Sequence, residues 1–161
     1  MSKAVLISIR PEWVEEIAND RKTIEVRKTK PNLEMPFKCY IYCTNARPFL
    51  VWGDVFNGHV AAEFVCDRID TINPENEPYG LYDVDDDFVA QTGLVNGALW
   101  DYGKGATLYG WHISKLEIYD MPKQLSEFTG LRKTKFGYAP VEIKRPPQSW
   151  CYVEGLKDGQ S

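Results

Sequence analysis

Residues 4–28 of the chain, AVLISIRPEWVEEIANDRKTIEVRK, contain the pattern that decides its fold. The apolar run at 4–9 predicts a buried strand, which Pro11 ends because proline favours the first position of a helix. Apolar residues recur at helical spacing over 11–19, which predicts a short amphipathic helix. Residues 23–28 then alternate between apolar and polar, as in a strand with one buried face. The chain is therefore predicted to open with a strand, a helix and a second strand.

The rest of the chain contains further strand patterns and two short helical ones. Strands are predicted at residues 37–44, 60–69, 108–119 and 149–153, and helices at 85–91 and 97–102. The apolar parity of the 108–119 segment changes partway, which predicts a bulge or bend near Ser114. Five or six strands with helices inserted irregularly between them favour an α+β fold built on a mostly antiparallel, barrel-like sheet.

Length and composition indicate one folded unit. The chain has 161 residues, of which 43% are apolar and 26% charged, enough to bury a core without disulfides or metal. We expect a single domain over residues 1–154 and a flexible C-terminal tail over 155–161. No run approaches the ~20 apolar residues of a membrane span, and the N-terminus lacks the pattern of a secretory signal. These features predict a soluble, cytoplasmic protein.

Charge is segregated along the chain. The net charge is -4, but residues 1–47, 48–103 and 104–161 carry formal charges of +3, -10 and +3. This distribution argues against a protein that coats nucleic acid over its whole surface, and it is compatible with a local basic face. The acidic stretch at 70–87 offers one alternative function, an adaptor that meets a protein partner, which rests on charge alone.

The strand predicted at 23–28 carries the candidate chemistry. Glu25 and Arg27 lie two positions apart, so their side chains leave the same face with roughly 7 Å between their origins. Lys22 precedes the strand, and residues 21–30 hold five basic groups and one acid. This arrangement suits a phosphate, with one acceptor left for a base or sugar. The alternative is an exposed strand edge that its charges keep soluble.

Several motifs together give the chain a resemblance to a known family. Ser8-Ile9-Arg10-Pro11 and, after the predicted helix, Asp20-Arg21-Lys22-Thr23-Ile24-Glu25-Val26-Arg27 resemble the ASCH family, whose hallmark is G-x-K-x-x-E-x-R. The stretches 109–114, YGWHIS, and 145–151, RPPQSWC, are similar to those of bacterial and phage-borne members. The resemblance covers about 4–153. It implies a PUA-like β-barrel in which the hallmark residues line a cleft proposed to bind RNA.

The chain departs from the hallmark at its glycine, which is Asp20 here. Aspartate tolerates tight turns, so the turn is expected to form, but a carboxylate beside Lys22 weakens the local positive field. Some ASCH relatives are amidohydrolases acting on acetylated cytidine, with a Thr, a Lys and a Glu as the catalytic set. Lys22 matches that Lys, whereas Glu25 resembles the position of the nucleophilic Thr. The sequence therefore favours binding over catalysis.

A hydrolase acting on RNA or a modified nucleoside remains the alternative. In it, Glu25 is the general base and Lys22 its electrostatic partner, and these two residues are the catalytic candidates. The ligand expected for a binding module is RNA or a nucleotide-like small molecule.

Aromatic side chains complete the predicted binding set. Tyr42 is assigned to the polar face of its strand, and Trp111 and Trp150 lie near glycines or turns, so exposed rings are expected to stack on a base. The alternative is that these rings fill the core. The candidate ligand-binding residues are Arg10, Lys22, Glu25, Arg27, Tyr42, Trp111, Arg145, Gln148, Ser149 and Trp150.

No metal or cofactor is predicted. Cys39 and Cys43 form C-x-x-x-C, but four residues of a strand span roughly 13 Å, too far for two thiolates on one zinc ion. We expect the four cysteines to be reduced, and Cys39 and Cys43 to lie in the core.

Overall fold

The structure, a computed structural model, describes residues 2–45, 56–77 and 79–157. Within these ranges the α-helices are Pro11–Ala18 (α1), Asp86–Thr92 (α2) and Asn96–Gly103 (α3), and one turn of 3-10 helix covers Leu125–Glu127. The strands are Lys3–Ile9 (β1), Ile24–Arg27 (β2), Phe37–Cys43 (β3), His59–Cys66 (β4), Ile69–Ile72 (β5), Leu108–His112 (β6), Ser114–Lys123 (β7), Thr129–Thr134 (β8), Gly137–Glu142 (β9) and Trp150–Glu154 (β10).

These strands form two sheets. The large sheet has the order β7-β4-β3-β1-β10-β8-β9, and the small sheet has the order β2-β6-β5. β1 and β3 pair in parallel, while the other strand pairs are antiparallel. The α+β class and the mostly antiparallel pairing predicted from the sequence are confirmed. Among the described residues, no helix is both long and apolar enough to span a membrane.

The main core lies between the two sheets. Trp111 of β6 is fully buried there, in one cluster with Val5 of β1 and Ile41 of β3. The helix α1 covers the same cluster with Val14 and Ile17. The apolar stripe of the amphipathic helix predicted at 11–19 therefore packs against this core, as the sequence pattern indicated.

Each sheet also buries its other face. The small sheet packs Ile24 and Val26 of β2 against Leu99 of α3. The large sheet packs a second cluster around Tyr40 of β3 and Phe128, whose rings lie 5.0 Å apart. Because both faces of the large sheet are covered, alternation along its strands does not separate buried from exposed residues.

Two predicted strands divide in the structure. The 60–69 pattern contains the end of one strand and the start of another, since β4 ends at Cys66 and β5 begins at Ile69. The 108–119 pattern breaks at Ile113, where the chain leaves the small sheet and joins the large one, and Lys115 has a positive φ of 49°. The bend predicted near Ser114 is confirmed. β8 and β9 were not predicted, because residues 126–137 are polar and basic and Pro140 interrupts the segment that follows.

The predicted C-terminal tail begins with residues that are bonded to the domain. Gly155 donates its backbone N–H to the Ser2 carbonyl at 3.0 Å, and Leu156 donates to the Tyr40 hydroxyl at 2.7 Å. Residues 158–161 of that tail lie outside the described residues.

Candidate functional site

The candidate site begins at the turn between α1 and β2. Asp20 adopts a left-handed conformation with a φ of 59°, which glycine takes freely and aspartate tolerates better than most residues. The backbone N–H groups of Arg21 and Lys22 both donate to the Glu16 carbonyl, at 2.9 and 3.2 Å. Aspartate thus replaces the hallmark glycine with the turn intact, as expected.

Lys22 turns inward from this bend. Its side chain is 3% exposed, and its Nζ donates to the Thr92 carbonyl at 2.6 Å. Thr92 is the last residue of α2, and the C-terminal end of a helix carries partial negative charge that favours a cation. Gly93, with a φ of 73°, ends the helix. A Cβ built on this glycine would lie 3.6 Å from the Lys22 Cβ. The end of α2 therefore holds the Lys22 ammonium in place.

Glu25 lies between two cations. Its Oε1 is 3.2 Å from Lys22 Nζ, and its Oε2 is 2.7 Å from Arg27 Nη2. Arg27 Nε donates to the same Oε2 at 2.8 Å. The prediction that Glu25 and Arg27 share a face is confirmed, and the two side chains neutralise one another at close range. We refer to Lys22, Glu25 and Arg27 as the charge cluster.

Arg27 also joins β2 to the large sheet. Its Nη2 donates to the Ser8 carbonyl at 2.7 Å, and its Nη1 donates to the Ser149 hydroxyl at 3.1 Å. Ser149 is held in turn, since the Ser8 backbone N–H donates to its carbonyl at 2.9 Å and the Ser8 hydroxyl donates to the Pro147 carbonyl at 2.7 Å. The cluster, the end of β1 and the loop before β10 thus meet at one point.

The charge cluster is nearly closed to solvent, with side-chain exposures of 9% for Glu25 and 11% for Arg27. Burial raises the pKa of the Glu25 carboxyl, but the charges of Lys22 and Arg27 outweigh burial, and the pKa is lowered from its ordinary value. Glu25 is therefore ionised at neutral pH. Two cations and one carboxylate leave a net charge of about +1 in a region of low dielectric, where its field extends further than at the surface.

One edge of the cluster leads to Lys28 and Tyr102. The Lys28 Nζ lies 4.9 Å from the centroid of the Tyr102 ring, and the Tyr102 side chain interacts electrostatically with Arg27 and Glu25. Burial raises the pKa of the Tyr102 hydroxyl above its ordinary value. Tyr102 nevertheless remains 39% exposed, so that this ring borders both the cluster and solvent.

The next two residues along the chain make similar contacts. The Thr29 hydroxyl accepts a hydrogen bond from the Trp150 Nε1 at 2.9 Å, and the Lys30 Nζ lies 5.4 Å from the centroid of the Tyr109 ring. Lys28 and Lys30 are exposed. Consecutive residues after β2 therefore place cations beside aromatic rings at the margin of the cluster. We call this margin the basic–aromatic rim, made of Lys28, Lys30, Tyr102, Tyr109 and Trp150.

Two rings assigned to ligand stacking are buried. Trp111 is 0% exposed and packs edge-on against Trp150 and Phe37, so it has no face for a base. Tyr42 is 8% exposed and lies in the second core cluster of the large sheet. The prediction that Tyr42 occupies a polar face is wrong because that sheet is covered on both sides. For these two rings the alternative of core packing is the correct one.

The remaining predicted residues lie around the cluster with different surroundings. Arg10 follows β1, two residues beyond Ser8, and its Nε donates to Glu12 at 2.6 Å while the side chain stays 63% exposed. Arg145 and Gln148 are exposed residues of the loop before β10. No contact joins these three side chains to the charge cluster in the described part of the chain, and their role in binding stays a prediction.

The cysteines lie where the sequence predicted. Cys39 and Cys43 are both buried in the main core, and burial raises the pKa of Cys43 to about 12. Within residues 2–45, 56–77 and 79–157, no group of three His, Cys, Asp or Glu side chains is placed to hold a metal ion.

Sequence reasoning missed two residues of the site. Tyr102 belongs to the rim, and Thr92 supplies the carbonyl that holds Lys22. Tyr102 lies in a predicted helix that carried no motif, and Thr92 contributes only a backbone atom. The basic run through Lys28 and Lys30 was the available signal, because an ammonium group is attracted to the face of an aromatic ring.

Comparison with known proteins relates the chain to solved structures. No protein-family model matches it, and no curated protein matches it. The crystal structure of ASCH from Zymomonas mobilis is similar over 96% of this chain and 88% of that one, with 20% identity and a TM-score of 0.52. Two structures of single-substitution variants of the same protein give TM-scores of 0.55 and 0.51 at 19% and 18% identity, covering 98% and 96% of this chain and 92% and 89% of theirs.

At these identities the comparison concerns the fold. It extends over nearly the whole chain, as did the resemblance in the sequence. The resemblance predicted from the K-x-x-E-x-R strand is therefore matched by the three-dimensional structure, and the chain has the fold of the ASCH proteins.

Proposed function

We propose that the protein binds RNA or a nucleotide-like ligand at the charge cluster and its basic–aromatic rim. The observation that carries this proposal is the sequence of contacts after β2, where Lys28, Thr29 and Lys30 lie beside the rings of Tyr102, Trp150 and Tyr109. Surfaces that bind single-stranded nucleic acid combine cations for the phosphates with rings on which bases stack. The rim brings both kinds of group together on one exposed margin.

The buried cluster and the exposed rim have different tasks in this proposal. The donors of Arg27 are engaged by Glu25, Ser8 and Ser149, so a phosphate would meet the rim before the guanidinium. The cluster fixes the orientation of the strand that leads to Lys28 and Lys30, and its net positive charge adds to their field. Direct contacts to phosphate then come from exposed cations, namely Lys28, Lys30, Arg10 and Arg145.

The fold is compatible with this role. The two sheets enclose a common core around Trp111, and we interpret them as the PUA-like barrel that the resemblance implies. The similar solved structures carry the ASCH name, which by itself states no ligand.

The hydrolase alternative has less support. It requires Glu25 to accept a proton, but both carboxylate oxygens are paired with cations and its pKa is lowered. A carboxylate of lowered pKa is a poor general base near neutral pH. Ser149 and Tyr102 bring hydroxyl groups to the cluster, and Ser149 is bonded to Arg27 rather than to a base.

The proposal is tested by titrating a fluorescently labelled single-stranded RNA hexamer with the protein at several salt concentrations. We expect affinity to fall as salt rises, because bound lysines release counterions from the phosphates. The double variant Lys28→Gln with Lys30→Gln should bind more weakly. The slope of its salt dependence should fall by about 0.7 for each phosphate that a lysine no longer neutralises.

A matched control is Lys115→Gln, which removes one exposed cation from β7. That strand lies at one edge of the large sheet, with three strands between it and β10. This variant should bind like the wild type. Equal weakening in the control and the rim variant, or binding that does not depend on salt, would contradict the proposal.

A further inference from the structure

A row of aromatic side chains continues from the rim along β10. The Trp150 and Tyr152 rings have centroids 5.3 Å apart, and the Tyr152 and Tyr138 rings have centroids 5.7 Å apart. Trp150 and Tyr152 alternate along one strand and so share its face, while Tyr138 comes from β9. All three are partly exposed. Edge-to-face packing holds each ring by its neighbour, which limits the entropy lost when a ligand contacts them.

Polar and charged groups follow the same row. The Trp150 Nε1 donates to Thr29 at the end near the charge cluster, and the Tyr152 hydroxyl accepts from the Asn32 backbone N–H at 2.8 Å. At the far end, the Lys3 ammonium lies 3.7 Å from the centroid of the Tyr138 ring. The Lys3 side chain is exposed. Cations therefore stand at both ends of the row, Lys28 and Lys30 at one and Lys3 at the other.

A cavity of about 530 Å³ lies next to residues that contact the row. Lys3 and Asn32, which contact the row, also line this cavity, together with Glu34, Lys38, Tyr40 and Leu156. The cavity lies at the start of β1 and β3, whereas the charge cluster contacts Ser8 near the end of β1. The aromatic row thus lies between the charge cluster and the cavity.

β10 pairs unequally with its two neighbours in the large sheet. β10 pairs with β1 over five residue positions from Trp150 to Glu154, but its pairing with β8 is confined to Val153 and Gly130. The part of the strand that carries Trp150 and Tyr152 has no ladder partner on that side in the described residues.

We propose that this row is a track for single-stranded RNA several nucleotides long, running from the charge cluster along Trp150, Tyr152 and Tyr138 to Lys3 and the cavity. This inference rests on the proposed function and names its ligand class. The rings lie 5.3 and 5.7 Å apart, wider than the 3.4 Å spacing of stacked nucleotides along one duplex strand. A ligand that contacts every ring in turn therefore extends over more than one nucleotide step. Stacking of this kind tolerates any base.

The test measures how affinity depends on ligand length and on the far end of the row. Uridine monophosphate and oligouridylates of two, four and six nucleotides are titrated against the wild type, Tyr138→Ala and Lys3→Gln. We expect affinity to rise with length up to about four nucleotides. For the hexamer, Tyr138→Ala should lower affinity on the order of ten-fold, as for the loss of one stacking ring. Both variants should leave the mononucleotide affinity unchanged relative to wild type, because that ligand binds at the rim.

Tyr79→Ala is the matched control, since Tyr79 is an exposed tyrosine, 83% accessible, in the acidic segment. It should bind every ligand as the wild type does. If the mononucleotide binds as tightly as the hexamer, and neither Tyr138→Ala nor Lys3→Gln weakens hexamer binding, the track is excluded while the rim remains. If no ligand binds the wild type, the proposed function itself fails. Lys3→Gln keeps the test decisive if Tyr138→Ala does not fold.

Discussion

Glu25 separates two cations that are almost completely buried, so its charge is the feature on which the cluster depends. In Glu25→Gln, Lys22 and Arg27 lose their counter-charge while staying in a region of low dielectric. Removing one partner of a buried ion pair costs about 3–5 kcal/mol, and we expect the lower end because the amide still accepts hydrogen bonds. Urea unfolding at pH 7 measures the loss. Glu142→Gln, at an exposed carboxylate of β9, should change stability by less than ~0.5 kcal/mol.

The wild type and Glu25→Gln should also differ in their response to acid. The pKa of Glu25 is lowered in the folded state, so unfolding takes up a proton there as the pH falls. The stability that the ionised carboxylate contributes is complete above its unfolded pKa of ~4.3 and disappears as the pH falls through the folded value. The stability difference between wild type and Glu25→Gln should therefore shrink below about pH 4.3. A constant difference down to pH 3 would show that the charge of Glu25 is not what stabilises the cluster.

For individual residues, the sequence predicted those features that depend only on neighbouring positions in the chain. The shared face of Glu25 and Arg27 follows from the two-residue period of a strand, and the left-handed turn at Asp20 follows from its residue type. The burial of Lys22 could not be predicted, because its partner is the backbone carbonyl of Thr92, 70 positions away. Backbone partners have no signature in residue type.

On β6, two neighbouring elements pack closely against Gly110. A Cβ built on Gly110 would lie 2.8 Å from the Phe88 ring and 3.1 Å from Ile24, so α2 and β2 both pack against this glycine. Gly110→Ala should lower the free energy of unfolding by about 1–3 kcal/mol, as for overpacking in other cores. Gly97→Ala is the matched control, since it lies in α3 with open space around it. There the same added methyl should stabilise by up to ~1 kcal/mol.

Thermal or urea unfolding of these two variants distinguishes packing from a general effect of replacing glycine. Opposite signs are expected. Destabilisation by both substitutions to the same extent would show that the contact between α2 and the small sheet does not limit the space at Gly110.

The sequence pattern correctly predicted which side chains are buried in elements with one face in solvent. It failed in elements whose two faces are both covered. The α1 stripe was recognised because its two sides differ, whereas the alternation of β3 was misread for Tyr42 because the large sheet is covered on both faces. The 108–119 segment looked like one strand with a bend, and the bend is where the chain changes sheets. β8 lies in a polar and basic segment, and Pro140 interrupts the more apolar β9, so neither shows a clear strand pattern.

At the scale of the whole molecule, the sequence predicted the class of fold and the charge distribution but not the division into two sheets. Which strands pair is decided by contacts between distant positions, such as β1 with β10, and a single sequence contains no signal for them. The segregation of charge, in contrast, can be counted directly, and it contributes to the long-range field that a charged ligand would meet.

This field gives a prediction about association kinetics. Glu77 and Asp83 are exposed in the acidic segment, and replacing both with Gln and Asn changes the net charge from -4 to -2. Weaker repulsion of the approaching phosphates should raise the association rate of an RNA hexamer about two-fold at low salt, with the dissociation rate unchanged. Stopped-flow mixing measures both rates. At about 1 M salt, where the screening length is ~3 Å, the difference should vanish.

Asn76→Gln supplies the control for that measurement, because it alters the same exposed segment without changing its charge. Its association rate should equal that of the wild type at every salt concentration. A rise in the dissociation rate of the Glu77 and Asp83 variant would mean that the acidic segment touches the bound RNA, and the ligand would then extend beyond the charge cluster and its rim. An unchanged association rate at low salt would mean that the local field of the rim alone governs the encounter, with the acidic segment too distant or too screened to oppose it.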